Sequence, residues 1–118
     1  MIDQGNRFRQ HNRLLKASEY QDIFKKPIRV VDQNFTILAK ANQLNTARLG
    51  LAISKKNLKF AVDRNRIKRI ARESFRIHMT DLSGIDLIVM AKRGVSEVDN
   101  KLLFSSLSKL WKNLHLKL

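Results

Sequence analysis

The sequence predicts an α+β domain, and three observations carry that reading. Two stretches, residues 28–41 and 48–54, are rich in β-branched and apolar types in loose alternation, with turn residues between them. Two others, residues 57–78 and 100–114, place apolar side chains at helical spacing. Between those helices lies Ile85 to Ala91 (IDLIVMA), a short, nearly all-apolar run that fits a strand buried on both faces or placed centrally.

The elements follow in order. Residues 1–13 read as a mobile basic arm, with Arg7, Arg9 and Arg13 among polar neighbours. Ser18-Glu19-Tyr20-Gln21 has the form of a capping box, with Ser18 at the N-cap and Gln21 at N3, and predicts a short helix from Glu19 to Lys25 that Pro27 stops. Tyr20, Ile23 and Phe24 share one face of it. Ile28 to Ala41 reads as one or two strands, with Asp32-Gln33-Asn34 as a turn or bulge. After a turn at Asn42–Thr46, the segment RLGLAIS (Arg48 to Ser54) is expected to form a strand antiparallel to Phe35–Ala41. The long helix should run from Asn57 to His78. After a loop from Asp81 to Gly84 and the strand Ile85–Ala91, Lys92-Arg93-Gly94 turns the chain. Asp99 can then cap a last helix over residues 100–114, with Leu103, Leu107, Leu110 and Leu114 as its core stripe and Trp111 beside it.

The long helix carries the strongest signal. At about 100° per residue, Arg64, Asn65, Lys68, Arg69, Arg72 and Arg76 fall in one sector of roughly 140°. Ile67, Ile70, Ala71, Ser74 and Ile77 fall opposite, with Phe75 at the boundary. Arg64, Lys68, Arg72 and Arg76 form a strict i, i+4 row of like charges. Such a row destabilises a helix by a few tenths of a kcal/mol per pair, a cost that makes sense when a polyanion neutralises it. Lys55 and Lys56 extend the charge into the lead-in.

Composition points the same way. The 118 residues suit one domain with one modest core, since 43% are apolar. Lysine and arginine number 24 against 10 acids, a net charge of +14, which is more than solubility requires. Nucleic acid is the leading partner class, an acidic membrane surface the second and an acidic protein the third. The absence of cysteine excludes disulfides, thiolate zinc sites and cysteine nucleophiles. The N-terminus has no apolar core of a secretory signal, and no apolar run approaches the roughly 18 residues that span a bilayer. A soluble, cytoplasmic protein is expected.

No catalytic constellation stands out. The acids are dispersed, His11, His78 and His115 lie far apart in the chain, and none of the HExxH, GxSxG or GxxxxGK[ST] patterns occurs. A binding module is therefore favoured over a protein-based enzyme. A helix-turn-helix DNA reader is disfavoured, because a strand and not a helix precedes the basic segment. A sheet face with flanking aromatics, Tyr20 and Phe24, suits single-stranded RNA.

RLGLAISKKN followed by AVDRNRIKRIARESFR resembles the signature of the bacterial ribonuclease P protein component, proteobacterial type. LLKASEYQDIF and IDLIVMAKRG are similar to its N-terminal signature and last strand, and the resemblance covers residues 13 to 114. It implies an α/β sandwich in the order αβββαβα, like the second domain of a small-subunit ribosomal protein, with a left-handed βαβ crossover against the general rule. It also implies an RNA-binding subunit of an endoribonuclease that removes the 5′ leader of precursor tRNA. The catalytic centre would lie in the RNA partner with its Mg²⁺ ions, and the protein would hold no catalytic residue.

The resemblance places RNA contacts at Lys55, Lys56, Arg64, Asn65, Arg66, Lys68, Arg69, Arg72 and Arg76. A leader-binding cleft would be lined by Tyr20, Phe24, Thr36, Leu38, Ala52 and Ser54. Some relatives carry an aromatic where Leu38 stands and a hydroxyl where Ala52 stands. Arg66 and Glu73 lie off the centre of the basic sector, which leaves a structural ion-pair role open to both. Another RNA-binding ribosomal or translation-associated protein of the same fold is the alternative.

Overall fold

The computed structural model describes residues 10–118. Its elements run α1 (Ala17–Lys25), β1 (Ile28–Val31), β2 (Phe35–Ala41), β3 (Arg48–Ala52), α2 (Ala61–His78), β4 (Ile85–Ala91) and α3 (Asn100–Lys117). This is the αβββαβα order. The four strands form one mixed sheet in the order β1-β2-β4-β3.

That order corrects one expectation. β3 does not pair with β2. β4 lies between them, antiparallel to β2 from Phe35↔Ala91 to Ala41↔Ile85 and parallel to β3 from Arg48↔Asp86 to Ala52↔Met90. The apolar run of β4 supplies the reason. Apart from Asp86 it has only apolar side chains to offer either face, so it is most stable with both edges paired and both faces covered. It takes the centre and leaves β3 at an edge, joined to β4 through α2.

The β1–β2 hairpin closes as expected at residues 32–34. Asp32 Oδ1 accepts from the backbone N–H of Asn34 and of Phe35, both at 2.8 Å, the local bonding for which aspartate is favoured in turns. Its second oxygen accepts from Ser106, which ties the hairpin to α3.

One sheet face is covered by α2 and α3. Phe35, Ile37, Leu87 and Val89 meet Ile67, Phe75, Leu103 and Leu107 there, and all are fully buried. Trp111 locks the two helices together. Its indole N–H donates to Ser74 Oγ at 2.9 Å within the core, and its ring meets Phe75 edge-on at 6.3 Å. Ser74 is thus a satisfied buried hydroxyl. Phe75, expected at the boundary of the helix face, is buried completely, while Ile77, expected in the core, is 54% exposed. The helix is turned toward Phe75, because the larger ring removes more apolar area from water.

The other face is covered only in part, by the nine-residue α1. Ile23 packs there on Leu14, Leu38 and Ile88. The start of α1 differs from expectation. The helix begins at Ala17 after an N-cap at Lys16, and Ser18 lies within it. Lysine has no acceptor to offer, so capping falls to Glu19 at N3. Its Oε1 accepts from Lys16 N–H at 2.9 Å and Leu15 N–H at 2.8 Å.

Two further boundaries move. α2 begins at Ala61 and not at Asn57. Residues 54–57 form a turn in which Ser54 Oγ accepts from Asn57 N–H, and the Asn57 side chain donates to Ala91 O at 2.9 Å. α3 continues past Leu114 to Lys117. Its N-cap is Asp99 as expected, accepting from Leu102 N–H at 2.9 Å.

The arm expected over residues 1–13 is anchored at its end. Residues 10–12 form a 3-10 turn, Asn12 is buried with its amide on Thr46 Oγ1 and Ala47 O, and Arg13 bridges to Leu49. Leu14 N–H donates to Leu49 O at 3.0 Å. This lead-in covers part of the β3 edge, which would otherwise present unpaired backbone groups. Arg7 and Arg9 lie outside the described residues.

Candidate nucleic-acid interface

The helical period of α2 decides which cations point outward, and the core decides how far each is held. Asn65 and Arg69 stand exposed. Lys68 and Arg72 lie half-buried on the flank facing the sheet edge, and among the described residues no carboxylate pairs with Lys68, Arg69 or Arg72. Lys55 and Lys56 are exposed on the turn after β3. That turn is fixed to the end of β4 through Asn57, so both lysines stand near the first turn of α2 on a rigid support.

Three residues of the basic set have structural partners as well. The Arg64 guanidinium donates to Leu58 O and Lys59 O, both at 2.9 Å, and so braces the lead-in to its own helix. Arg66 reaches away from the basic sector. It donates to Val98 O at 3.2 Å, Ser96 O at 3.1 Å and Asn100 Oδ1 at 2.6 Å, clasping the loop before α3. Arg76 pairs with Glu73 one turn back at 2.6 Å. The hydrogen bond from Arg76 holds the Glu73 carboxyl below its usual range.

The α1 face of the sheet forms the second candidate surface. Tyr20, Leu38 and Ala52 share one apolar cluster with Ile88 and Met90. Thr36 and Leu38 are its buried floor, at 8% and 7% exposure. Tyr20 is a wall of this surface: its hydroxyl accepts from Leu51 N–H at 3.3 Å, and the hydroxyl end of its ring lies close against Gly50. A Cβ on Gly50 would sit 2.7 Å from that ring, so glycine is what lets α1 approach the sheet. Phe24 is 48% exposed. Ser54 lies beyond the end of β3, where its hydroxyl holds the lysine turn.

Between the two surfaces a pocket of about 280 Å³ opens, with Arg13 and Tyr20 on one wall and Lys68 and Arg72 on the other. Sequence reading missed Arg13 as part of this group, because its neighbours on α2 are more than fifty residues away in the chain. Leu14, apolar directly after the polar run of residues 9–13, was the available signal that this segment docks.

Electrostatic anchoring of α1 comes from a second unforeseen group. Arg48 forks onto Asp86 at 2.8 and 2.6 Å and reaches Glu19 Oε2 at 2.8 Å, while the Asn42 amide donates to Asp86 Oδ1 at 2.8 Å. The N–H groups of Lys16 and Leu15, then Arg48, hold the Glu19 carboxyl below its usual range. Hydrogen bonding to Asp86 raises the Arg48 guanidinium further. One cation thereby joins α1, β3 and β4.

Among the described residues there is no group of three or more His, Cys, Asp or Glu that fits a metal ion, and no helix is long and apolar enough to cross a membrane. What the geometry offers is two adjoining surfaces, one cationic and one apolar with an exposed aromatic, suited to phosphate and to unstacked bases.

Known proteins share this fold. The Ribonuclease P family model matches residues 8–115. The ribonuclease P protein component of Histophilus somni (strain 2336) is 47% identical over 111 residues, covering 94% of this chain and 92% of that one. The RNase P protein of Staphylococcus aureus superposes with a TM-score of 0.81 at 32% identity, over 87% of this chain and 94% of that one. The RNase P protein from Thermotoga maritima gives 0.78 at 29% identity, over 86% and 96%. The chain belongs to the ribonuclease P protein family and is a protein component of that endoribonuclease.

Proposed function

We propose that this subunit binds the ribonuclease P RNA through the outward cations of α2 and its lysine lead-in, and holds the 5′ leader of precursor tRNA on the sheet face beside α1. The observation that carries the reading is the outward sector of α2, where Lys68, Arg69 and Arg72 have no carboxylate partner among the described residues. Cations left unpaired on an ordered helix match a phosphate backbone, whose binding releases condensed counterions. Cleavage then belongs to the RNA. Mg²⁺ held there would supply an activated water for phosphodiester hydrolysis. The residues of this chain neutralise phosphate and position the leader. Phe24 is the ring available to an unstacked leader base, while Tyr20 shapes the wall behind it. The cytoplasm, where tRNA is made, is the matching compartment in a bacterium.

One reconstitution tests the reading. The chain is added to a bacterial ribonuclease P RNA at low Mg²⁺, and removal of the leader from precursor tRNA is timed. Stimulated cleavage, with tighter binding of leader-bearing than of mature tRNA, is expected. No stimulation would sink it.

A further inference from the structure

Phe60 immediately precedes α2 in extended conformation, with φ −93° and ψ 137°. Its ring is 60% exposed, and Val62, two residues on, is 74% exposed. Apolar groups this large in water stand out at the mouth of a segment where residues 55–69 carry seven cations and one acid.

The backbone beneath the ring is held on both sides. Leu58 is 2% exposed in the core, and its N–H donates to Ser54 O at 3.0 Å. Arg64 grips Leu58 O and Lys59 O, and Phe60 O accepts from Asp63 N–H and Arg64 N–H, both at 3.1 Å. The ring therefore has a fixed seat before any ligand arrives, which lowers the ordering cost of binding. The Lys59 ammonium lies 5.6 Å from the ring centroid.

We propose that Phe60 is a stacking platform for one unpaired base of the RNA partner, with the flanking phosphates held by Lys55, Lys56 and Lys59. An exposed ring with one ammonium group over it, at the end of a lysine-rich turn, matches a nucleotide, which is one planar base with one phosphate. A protein partner would require a far wider apolar patch than two side chains provide. This site lies apart from the α1 cleft, and it rests on the reading that the chain binds ribonuclease P RNA.

The test titrates the full chain and three variants, Phe60→Ala, Phe60→Leu and Phe60→Trp, into a transcribed bacterial ribonuclease P RNA. Stacking is worth about 1–3 kcal/mol per base, so Phe60→Ala and Phe60→Leu should each weaken binding by about 5- to 150-fold. The salt slope should not change, because no cation is lost. Phe60→Trp should bind as tightly as the parent, with its exposed emission quenched by RNA while that of buried Trp111 is not.

Parent-like affinity for Phe60→Ala overturns the proposal, and so does parent-like affinity for Phe60→Leu, which would make the contact apolar without stacking. If polyglutamate binding falls in Phe60→Ala while RNA binding holds, the surface serves an acidic protein and the proposal also fails. Failure of the parent chain to bind the RNA at all would remove the underlying reading along with it.

Discussion

Arg66 sits inside the most basic segment of the chain, yet its three hydrogen bonds run to Ser96, Val98 and Asn100. Charge alone assigns it to the RNA, while geometry assigns it to the loop before α3. The two roles separate by experiment. Arg66→Ala should lower unfolding free energy by about 1–3 kcal/mol, the scale of hydrogen bonds made by a charged group, and leave the salt slope of RNA binding nearly intact. Denaturant titration and binding at several salt concentrations read the two effects. A flattened slope with unchanged stability would return Arg66 to the interface. Glu19 offers a second case. Its carboxyl titrates below the usual value because two backbone N–H groups and Arg48 favour the charged form. A depressed folded-state value means that its stabilisation is fully present above the unfolded value and is lost as pH falls through the folded one. Stability should therefore drop as pH falls below about 4.5, the ordinary carboxylate value. Glu19→Gln should lose this acid-dependent part together with the Arg48 ion pair, while the amide oxygen can still accept from the Leu15 and Lys16 N–H groups. An unchanged acid profile in the variant would show that Glu19 does not contribute.

At the scale of the element, α2 does two jobs with one period. Ile67, Ile70, Ala71, Ser74 and Phe75 seat it on the core, and the same turns carry Lys68, Arg69 and Arg72 outward. Lys68→Ala and Arg69→Ala should each reduce the salt slope of RNA binding by about one unit if each contacts a phosphate, with no loss of fold. Arg64→Ala should do more, since it also releases the carbonyls of Leu58 and Lys59 and frees the lead-in. Slopes equal to the parent in both single variants would make the sector a solvated face. The outward cations of α2 were legible because a helix repeats every 3.6 residues, and pattern alone assigns faces. The fine rotation was not legible. Phe75 and Ile77 lie near opposite boundaries of the apolar sector, and only packing on Trp111 decides which of them enters the core. The start of α1 was misplaced for a related reason: Ser18 is the better capping type, but Glu19 could reach the Lys16 and Leu15 N–H groups and Arg48 together.

For the molecule as a whole, strand types were readable and strand order was not. β4 carries its central position in its composition, but nothing local in RLGLA says that its neighbour is a strand more than thirty residues later. The Arg48–Asp86–Glu19 group is hidden for the same reason, since its members come from three elements that only the fold brings together. Net charge, by contrast, is a property of the entire chain and needs no fold to be read. At +14 the folded state repels itself. Two consequences follow, and they have opposite signs. Without RNA, moderate salt should raise the melting temperature by screening that repulsion, and the double variant Lys68→Ala, Arg69→Ala should melt higher than the parent. With RNA, the order should reverse. A ligand at a hundredfold its Kd stabilises by about 2.7 kcal/mol, or roughly 8–16 °C for a chain of this size, and the double variant should gain markedly less. Thermal melts with and without ribonuclease P RNA measure both. If the double variant melts no higher alone, the charge costs the fold nothing. If it gains as much from RNA as the parent, these cations are not where the phosphates sit.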